Sequence, residues 1–277
     1  MRKLLVLVCA AVALVATALS PAVASAWAPA ASASIHPGVM TFTDGAQCTA
    51  NFVFSDSSNV YIGQAAHCSG TGAQTDTNGC TSASLPIGTP VDVNGASKAG
   101  TLVYNSWLTM QAGHESNPDT CQFNDLALVK LDPSDVGSVN PSVPFWGGPT
   151  GVGSVGGLGS KVYSYGNSEL RGGVSQLSPK QGVVVQNAGN GWSHDVATAS
   201  PGIPGDSGSG FMNGSGQAIG VLSTLQLAPL AGSNGVGDIG KEIAYMHANS
   251  SFSSTQLVPG TEPFQSNKTV VHALLGG

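Results

Sequence analysis

The run Gly205-Asp206-Ser207-Gly208-Ser209-Gly210 sets a serine among glycines, directly after Pro201-Gly202-Ile203-Pro204. A nucleophilic serine needs its hydroxyl exposed on a tight turn and nearby N–H groups free to receive a developing oxyanion, and glycines permit both. A glycine-serine turn without chemistry looks the same, so the segment needs partners. A hydroxyl is a poor nucleophile near neutral pH and requires a base. Gln64-Ala65-Ala66-His67-Cys68 offers one: His67 follows a strand-like run, two small residues precede it, and a cysteine beside it can anchor it. His36, His114, His194, His247 and His272 have no comparable setting. The third requirement is a carboxylate that holds the other imidazole nitrogen and stabilises the imidazolium as it forms. Asp125 fits, because it opens the apolar run Leu126-Ala127-Leu128-Val129-Lys130-Leu131 and so sits at the edge of a core. Singly, Asp125 reads as a strand-start turn residue and His67 as structural; together, in the order His, Asp, Ser, the three read as one acyl-transfer unit.

Elements rich in β-formers must position these groups. Short runs recur at Asn51-Phe52-Val53-Phe54, Val60-Tyr61-Ile62, Thr101-Leu102-Val103-Tyr104, Lys161-Val162-Tyr163-Ser164-Tyr165, Val183-Val184-Val185 and Ala218-Ile219-Gly220-Val221-Leu222, besides the run after Asp125. Glycine, proline, asparagine or aspartate punctuates nearly every gap, which indicates an all-β sandwich or barrel. One helix is expected, around Ile239 to Ala248, with Ile243 and Met246 inward and Lys241 and Glu242 in water. The tail beyond Ser250 offers a candidate strand at Val270 to Leu275.

Met1-Arg2-Lys3, an apolar run from Leu4 to Leu19, and small residues around Ala24 and Ala26 have the three regions of a signal peptide, assigned to 1–26. The run is shorter than the roughly 20 residues that span a bilayer, so the mature chain is expected to be secreted and extracellular, with no membrane partner. Charged residues make up 9% of the chain and the net charge is −6, which disfavours nucleic acid. Cys9 lies in the leader; Cys48, Cys68, Cys80 and Cys121 remain, an even set that reads as two disulfides in an exported protein. No pair has CxxC spacing, so no metal is expected. Cysteine arithmetic alone leaves three pairings open.

The segments AAHC, NDLALVKL and GDSGSG resemble the three signature segments of chymotrypsin-like serine proteases, particularly secreted bacterial members. The resemblance spans about Thr41 to Ser250 and implies two antiparallel six-stranded β-barrels with a C-terminal helix and the site between them. It implies His67, Asp125 and Ser207 as catalytic residues and the N–H groups of Gly205 and Ser207 as the oxyanion hole. It further implies a substrate strand against Ser223, Thr224 and Leu225, a pocket reaching Pro201, and a Cys48–Cys68 bridge, which leaves Cys80 to pair with Cys121. The domain reading is then a short segment or propeptide at 27–40, a protease domain at 41–250 and a tail at 251–277. The expected activity is that of a serine endopeptidase, a monomer acting on protein or peptide substrates without a cofactor.

The sequence also departs from that pattern. It lacks a basic cleavage site followed by Ile-Val-Gly-Gly, so a new N-terminus is not expected to be the partner of Asp206. Arg171 is the single arginine after the leader, and an Asp206–Arg171 ion pair is expected instead. Pro201 stands where trypsin-like members carry aspartate, Leu222 where glutamate-specific relatives carry histidine, and Leu225 where many members carry glycine. A neutral, apolar or small residue before the scissile bond is therefore expected. Two other functions compete: a noncatalytic binding protein on the same fold, and an esterase, although a Gly-x-Ser-x-Gly elbow in an α/β setting is absent.

Overall fold

The computed structural model describes residues 27–73, 76–226 and 230–275, so the leader assigned to 1–26 lies outside the described residues. Among the described residues, fourteen strands carry the architecture. The first seven are β1 (Met40–Thr43), β2 (Ala46–Thr49), β3 (Val53–Ser55), β4 (Val60–Ala65), β5 (Pro90–Val93), β6 (Gly100–Asn105) and β7 (Leu126–Lys130). The rest are β8 (Lys161–Tyr165), β9 (Pro179–Ala188), β10 (Ser193–Thr198), β11 (Gly210–Asn213), β12 (Ala218–Leu225), β13 (Asn234–Asp238) and β14 (Gln256–Leu257). Strands β8 to β13 close into a six-stranded barrel in the order β10-β13-β12-β11-β8-β9, every pairing antiparallel.

The first half corrects the expectation of a second closed barrel. It is an eight-stranded antiparallel sheet in the order β14-β3-β4-β7-β6-β5-β1-β2. The tail strand β14 takes the edge of β3, with Gln256 opposite Ser55, while Thr49 of β2 donates its N–H to the Ser207 carbonyl at 2.8 Å.

The two halves share a core. Phe52, Phe54 and Tyr61 of the sheet pack in one cluster with Tyr163, Met212 and Val221 of the barrel and Ile239 and Met246 beyond it. Trp146, fully buried, stacks edge-on to Tyr163 and donates its indole N–H to the Ser164 carbonyl at 2.7 Å, satisfying the one polar atom its burial strands. The tail is part of this body: Phe252 and Phe264 pack against the cluster. Its last element is a helix at Val270–Leu274, where a strand was expected.

Helix content also exceeds the expectation. Helix α1 (Ser106–Ala112) starts on Asn105, whose side chain accepts from the N–H groups of Trp107 and Leu108; α2 (Pro118–Phe123) starts on Asn117 with proline in its first turn. Helix α3 (Ile239–Asn249) begins at Asp238, which accepts the Lys241 N–H. Its buried stripe is Ile239, Glu242 and Met246, so Glu242 is inside, not in water. The spacing explains this: Glu242 lies one turn from each of the two apolar anchors, and a partner waits for it in the core. The segment 27–40 docks on the first half through Ile35, fully buried and bridged to Val139.

Candidate active site

His67 sits in a single 3-10 turn, Ala66–Ser69, at the end of β4, and a Cys48–Cys68 bridge ties that turn to β2. Asp125 stands between α2 and β7, and α2 is itself tied to the 70–82 loop by a Cys80–Cys121 bridge. The two side chains meet at 2.7 Å, His67 Nδ1 to Asp125 Oδ2. A carboxylate can only accept, so Nδ1 carries the proton and Nε2 is left as the basic nitrogen. Asp125 is almost fully buried and its oxygens are well supplied: Oδ1 accepts the His67 main-chain N–H at 2.9 Å, and Oδ2 accepts the Ser223 hydroxyl at 2.5 Å. Burial pulls the His67 pKa down, but the Asp125 charge and hydrogen bond outweigh it and hold the imidazole above its ordinary 6.5.

Ser207 lies across the cleft between two glycines with positive φ, Gly205 at 95° and Gly208 at 88°. A Cβ on Gly208 would lie 2.6 Å from the Thr49 carbonyl, and one on Gly205 would strike the Gln47 side chain, so neither position accepts another residue. The main-chain N–H groups of Asp206, Gly208 and Ser209 donate to Ile203, Leu222 and Asp206 carbonyls. Those of Gly205 and Ser207 have no acceptor among the described residues. The Pro204–Gly205 peptide is held in place from behind by Ser168 Oγ, which donates to the Pro204 carbonyl, while the next carbonyl, that of Gly205, accepts from Thr49 Oγ1 and Gln47 Nε2 at 2.8 and 2.9 Å. Because C=O and N–H of a trans peptide point oppositely, fixing the carbonyl also fixes the free N–H.

His67 and Ser207 face one cleft of about 980 Å³, with Gly202 to Gly205 on one wall and Leu222 to Gln226 on another. No hydrogen bond joins His67 to Ser207 among the described residues; such bonds are often loose before substrate tightens them. Ser223, Thr224 and Leu225 run past the end of β11, whose pairing with β12 stops at Val221. Their partner on the other side is β13. Asn234 of β13, buried, ties the two walls together: it accepts the Gly202 N–H at 2.7 Å and donates to the Gly202 and Thr224 carbonyls. Pro201 turns its carbonyl away, toward Arg171.

Asp206 is fully buried and meets two cations. Arg171 Nη2 lies 2.5 Å and Lys180 Nζ 2.9 Å from its Oδ2, and neither cation is solvated. The expected Arg171 contact is present in the structure, whereas Lys180 was missed. Burial, opposed by Asp206 and aided by Arg171, lowers the Lys180 pKa to about 8. A lysine beside Pro179 in a strand carries no sequence sign of burial; the register of β8 and β9, which sets it opposite the buried Ser164, decides it. Gln47, Ser168, Asn234 and Glu242 were missed for the same reason, since each acts through contacts far along the chain. Cys48, His67 and Cys68 bring three metal-ligating atoms together, but both sulfurs are spent in a disulfide.

No protein-family model and no curated protein matches the chain. Among solved structures, Thermobifida fusca protease A superposes with a TM-score of 0.52 at 19% identity, covering 82% of this chain and 99% of that one. The chain has the chymotrypsin-like fold. Nocardiopsis protease (17% identity, 80% and 98% coverage, TM-score 0.49) and Cellulomonas bogoriensis chymotrypsin (16%, 81% and 98%, 0.48) are also similar to it. Within this fold the site described above occupies the cleft between the open sheet and the closed barrel.

Proposed function

We propose that the chain is a secreted serine endopeptidase in which Ser207, His67 and Asp125 hydrolyse peptide bonds through an acyl-enzyme. The observation that carries this reading is the 2.7 Å His67–Asp125 contact facing a serine whose turn leaves two main-chain N–H groups unspent. His67 Nε2 takes the Ser207 proton as the hydroxyl attacks the carbonyl, and the Gly205 and Ser207 N–H groups receive the oxyanion. Collapse passes that proton to the leaving amine, and water then repeats the sequence to release the acid. Asp125 stabilises the imidazolium without itself becoming protonated.

The substrate adds as a strand along Ser223, Thr224 and Leu225, where β12 has outrun β11. Pro201 offers no charge to a basic side chain, and the Asn234 bridge between the walls favours a small or neutral one. Asp206 has its cations already, which supports a site that needs no N-terminal activation. No specific observation favours a noncatalytic binding protein. Labelling the oxidised mature protein with a fluorophosphonate, beside Ser207→Ala and His67→Ala, tests the reading; labelling that does not depend on Ser207 would refute it.

A further inference from the structure

Beyond the three proposed catalytic groups lies a carboxyl that the reaction as written does not use. Glu242 of α3 is fully buried, and its Oε1 accepts the main-chain N–H of Asp125 at 2.9 Å. It reaches that N–H over Gly237, where a Cβ would lie 2.6 Å from Oε1. Every other polar group of Asp125 is held from the His67 side or by Ser223: its carbonyl accepts the Ala66 N–H at 2.8 Å, and its carboxylate accepts from His67 and Ser223. Among the described residues, only Glu242 grips Asp125 from behind. Resting on the protease reading above, we infer that Glu242 is a positioning residue that sets Asp125, and through it the His67 imidazole, against Ser207.

The chemistry of the surroundings says in which form it acts. The titratable groups around Glu242 are Asp125 at the head of β7, Asp238 at the end of β13 and Tyr104 on β6, with no Lys or Arg ion-paired to it among the described residues. Its Oε2 has no hydrogen-bond partner among those residues, nor has the Tyr104 hydroxyl. A buried anion with one oxygen bare and two carboxylates for neighbours is the costlier state. Burial, opposed by the Asp125 N–H bond and aided by the charges of Asp125 and Asp238, pushes the carboxyl well above the usual carboxylate range. Burial and the neighbouring carboxylates thus favour the neutral acid, a form that accepts the Asp125 N–H and leaves the Asp125 charge free to answer His67.

The test is the fluorophosphonate reaction of the full mature protein, with maximal labelling rate and half-saturating concentration measured separately against pH. Glu242→Gln keeps the acceptor and the neutrality; it is expected to label within about twofold of wild type with the acid limb unmoved. Glu242→Leu removes the acceptor and is expected to slow maximal labelling about tenfold while half-saturation changes less than twofold. Should the leucine variant not fold, Gly237→Ala displaces Oε1 from Asp125 and is expected to slow labelling several-fold. Folded leucine or alanine variants that label at the wild-type rate overturn the inference. So does a glutamine variant as slow as leucine, or one whose acid limb moves down, since that would mean an ionised Glu242 had been supporting the imidazolium. Absence of Ser207-dependent labelling in wild type overturns the protease reading along with it.

Discussion

Asp125 and Asp206 are buried carboxylates that flank one cleft, and the protein neutralises them in opposite ways. Asp206 is clamped by two cations, Arg171 and Lys180. Asp125 has hydrogen-bond donors instead: a main-chain N–H, a serine hydroxyl and an imidazole N–H. Burying an uncompensated charge is costly in either case, so the difference lies in when the compensation must act. Asp206 holds up the turn that carries Ser207, a structural task served by cations already in place. In the proposed reaction Asp125 must favour a charge that His67 gains as it takes the Ser207 proton, and a fixed cation beside it would cancel that preference.

The largest expected effect breaks the responsive side. Asp125→Asn is expected to lower Ser207-dependent turnover by about 10⁴ while the fold survives, since donors still surround an isosteric group that now favours the wrong tautomer; turnover within tenfold of wild type would end the proposed role. Next comes the structural side. Removing both cations in Arg171→Met/Lys180→Met leaves Asp206 buried and unpaired and is expected to cost about 3–5 kcal/mol in urea unfolding. Each single replacement leaves one cation on Asp206 and is expected to cost clearly less than the pair. Equal losses from one replacement and from two would show that the second cation carries nothing.

The smaller effects are in pH dependence. His67 is held above 6.5 by Asp125, and the neutral imidazole is the base, so labelling is expected to rise with pH through a midpoint above 6.5; a midpoint below it would break the His67–Asp125 coupling. Glu242 has a folded pKa above its unfolded value near 4.5, so the native state holds the extra proton. Its contribution to stability is complete below 4.5 and is lost as pH rises toward the folded value. Glu242→Gln cannot titrate, and its stability relative to wild type is expected to improve as pH rises above 4.5, measured by urea unfolding.

Much of the candidate site was legible because its residue types are set by neighbours at short range. Ser207 was marked by glycines whose positive φ the turn requires, and His67 by the cysteine that anchors its loop. Asp125 was marked by the apolar strand it opens. Strands β4, β6, β7, β8 and β12 were visible as β-rich runs between turn residues. Strands β1, β2, β10, β11 and β13 were not, because Met40–Thr43, Ala46–Thr49 and the glycine-bearing Gly210–Asn213 and Asn234–Asp238 lack such runs and owe their extension to the strands beside them. The tail strand β14, two residues long, exists only because the edge of β3 offers it bonds.

The sequence by itself determined the β-rich class, the proposal of Ser207, His67 and Asp125 as an acyl-transfer trio, and the expectation that Arg171 answers Asp206. Only the tertiary structure decided that the first half remains an open sheet, that Lys180 joins Arg171, and that Glu242 turns inward beneath Asp125. The physical reason is range. Turn, cap and alternation signals are written in neighbouring residues, whereas the partner of a buried charge is set by strand register and helix docking across the chain, 117 residues apart for Asp125 and Glu242. A lysine or glutamate that reads as a solvated surface residue becomes a buried one when the fold brings an opposite charge or an unspent N–H to meet it.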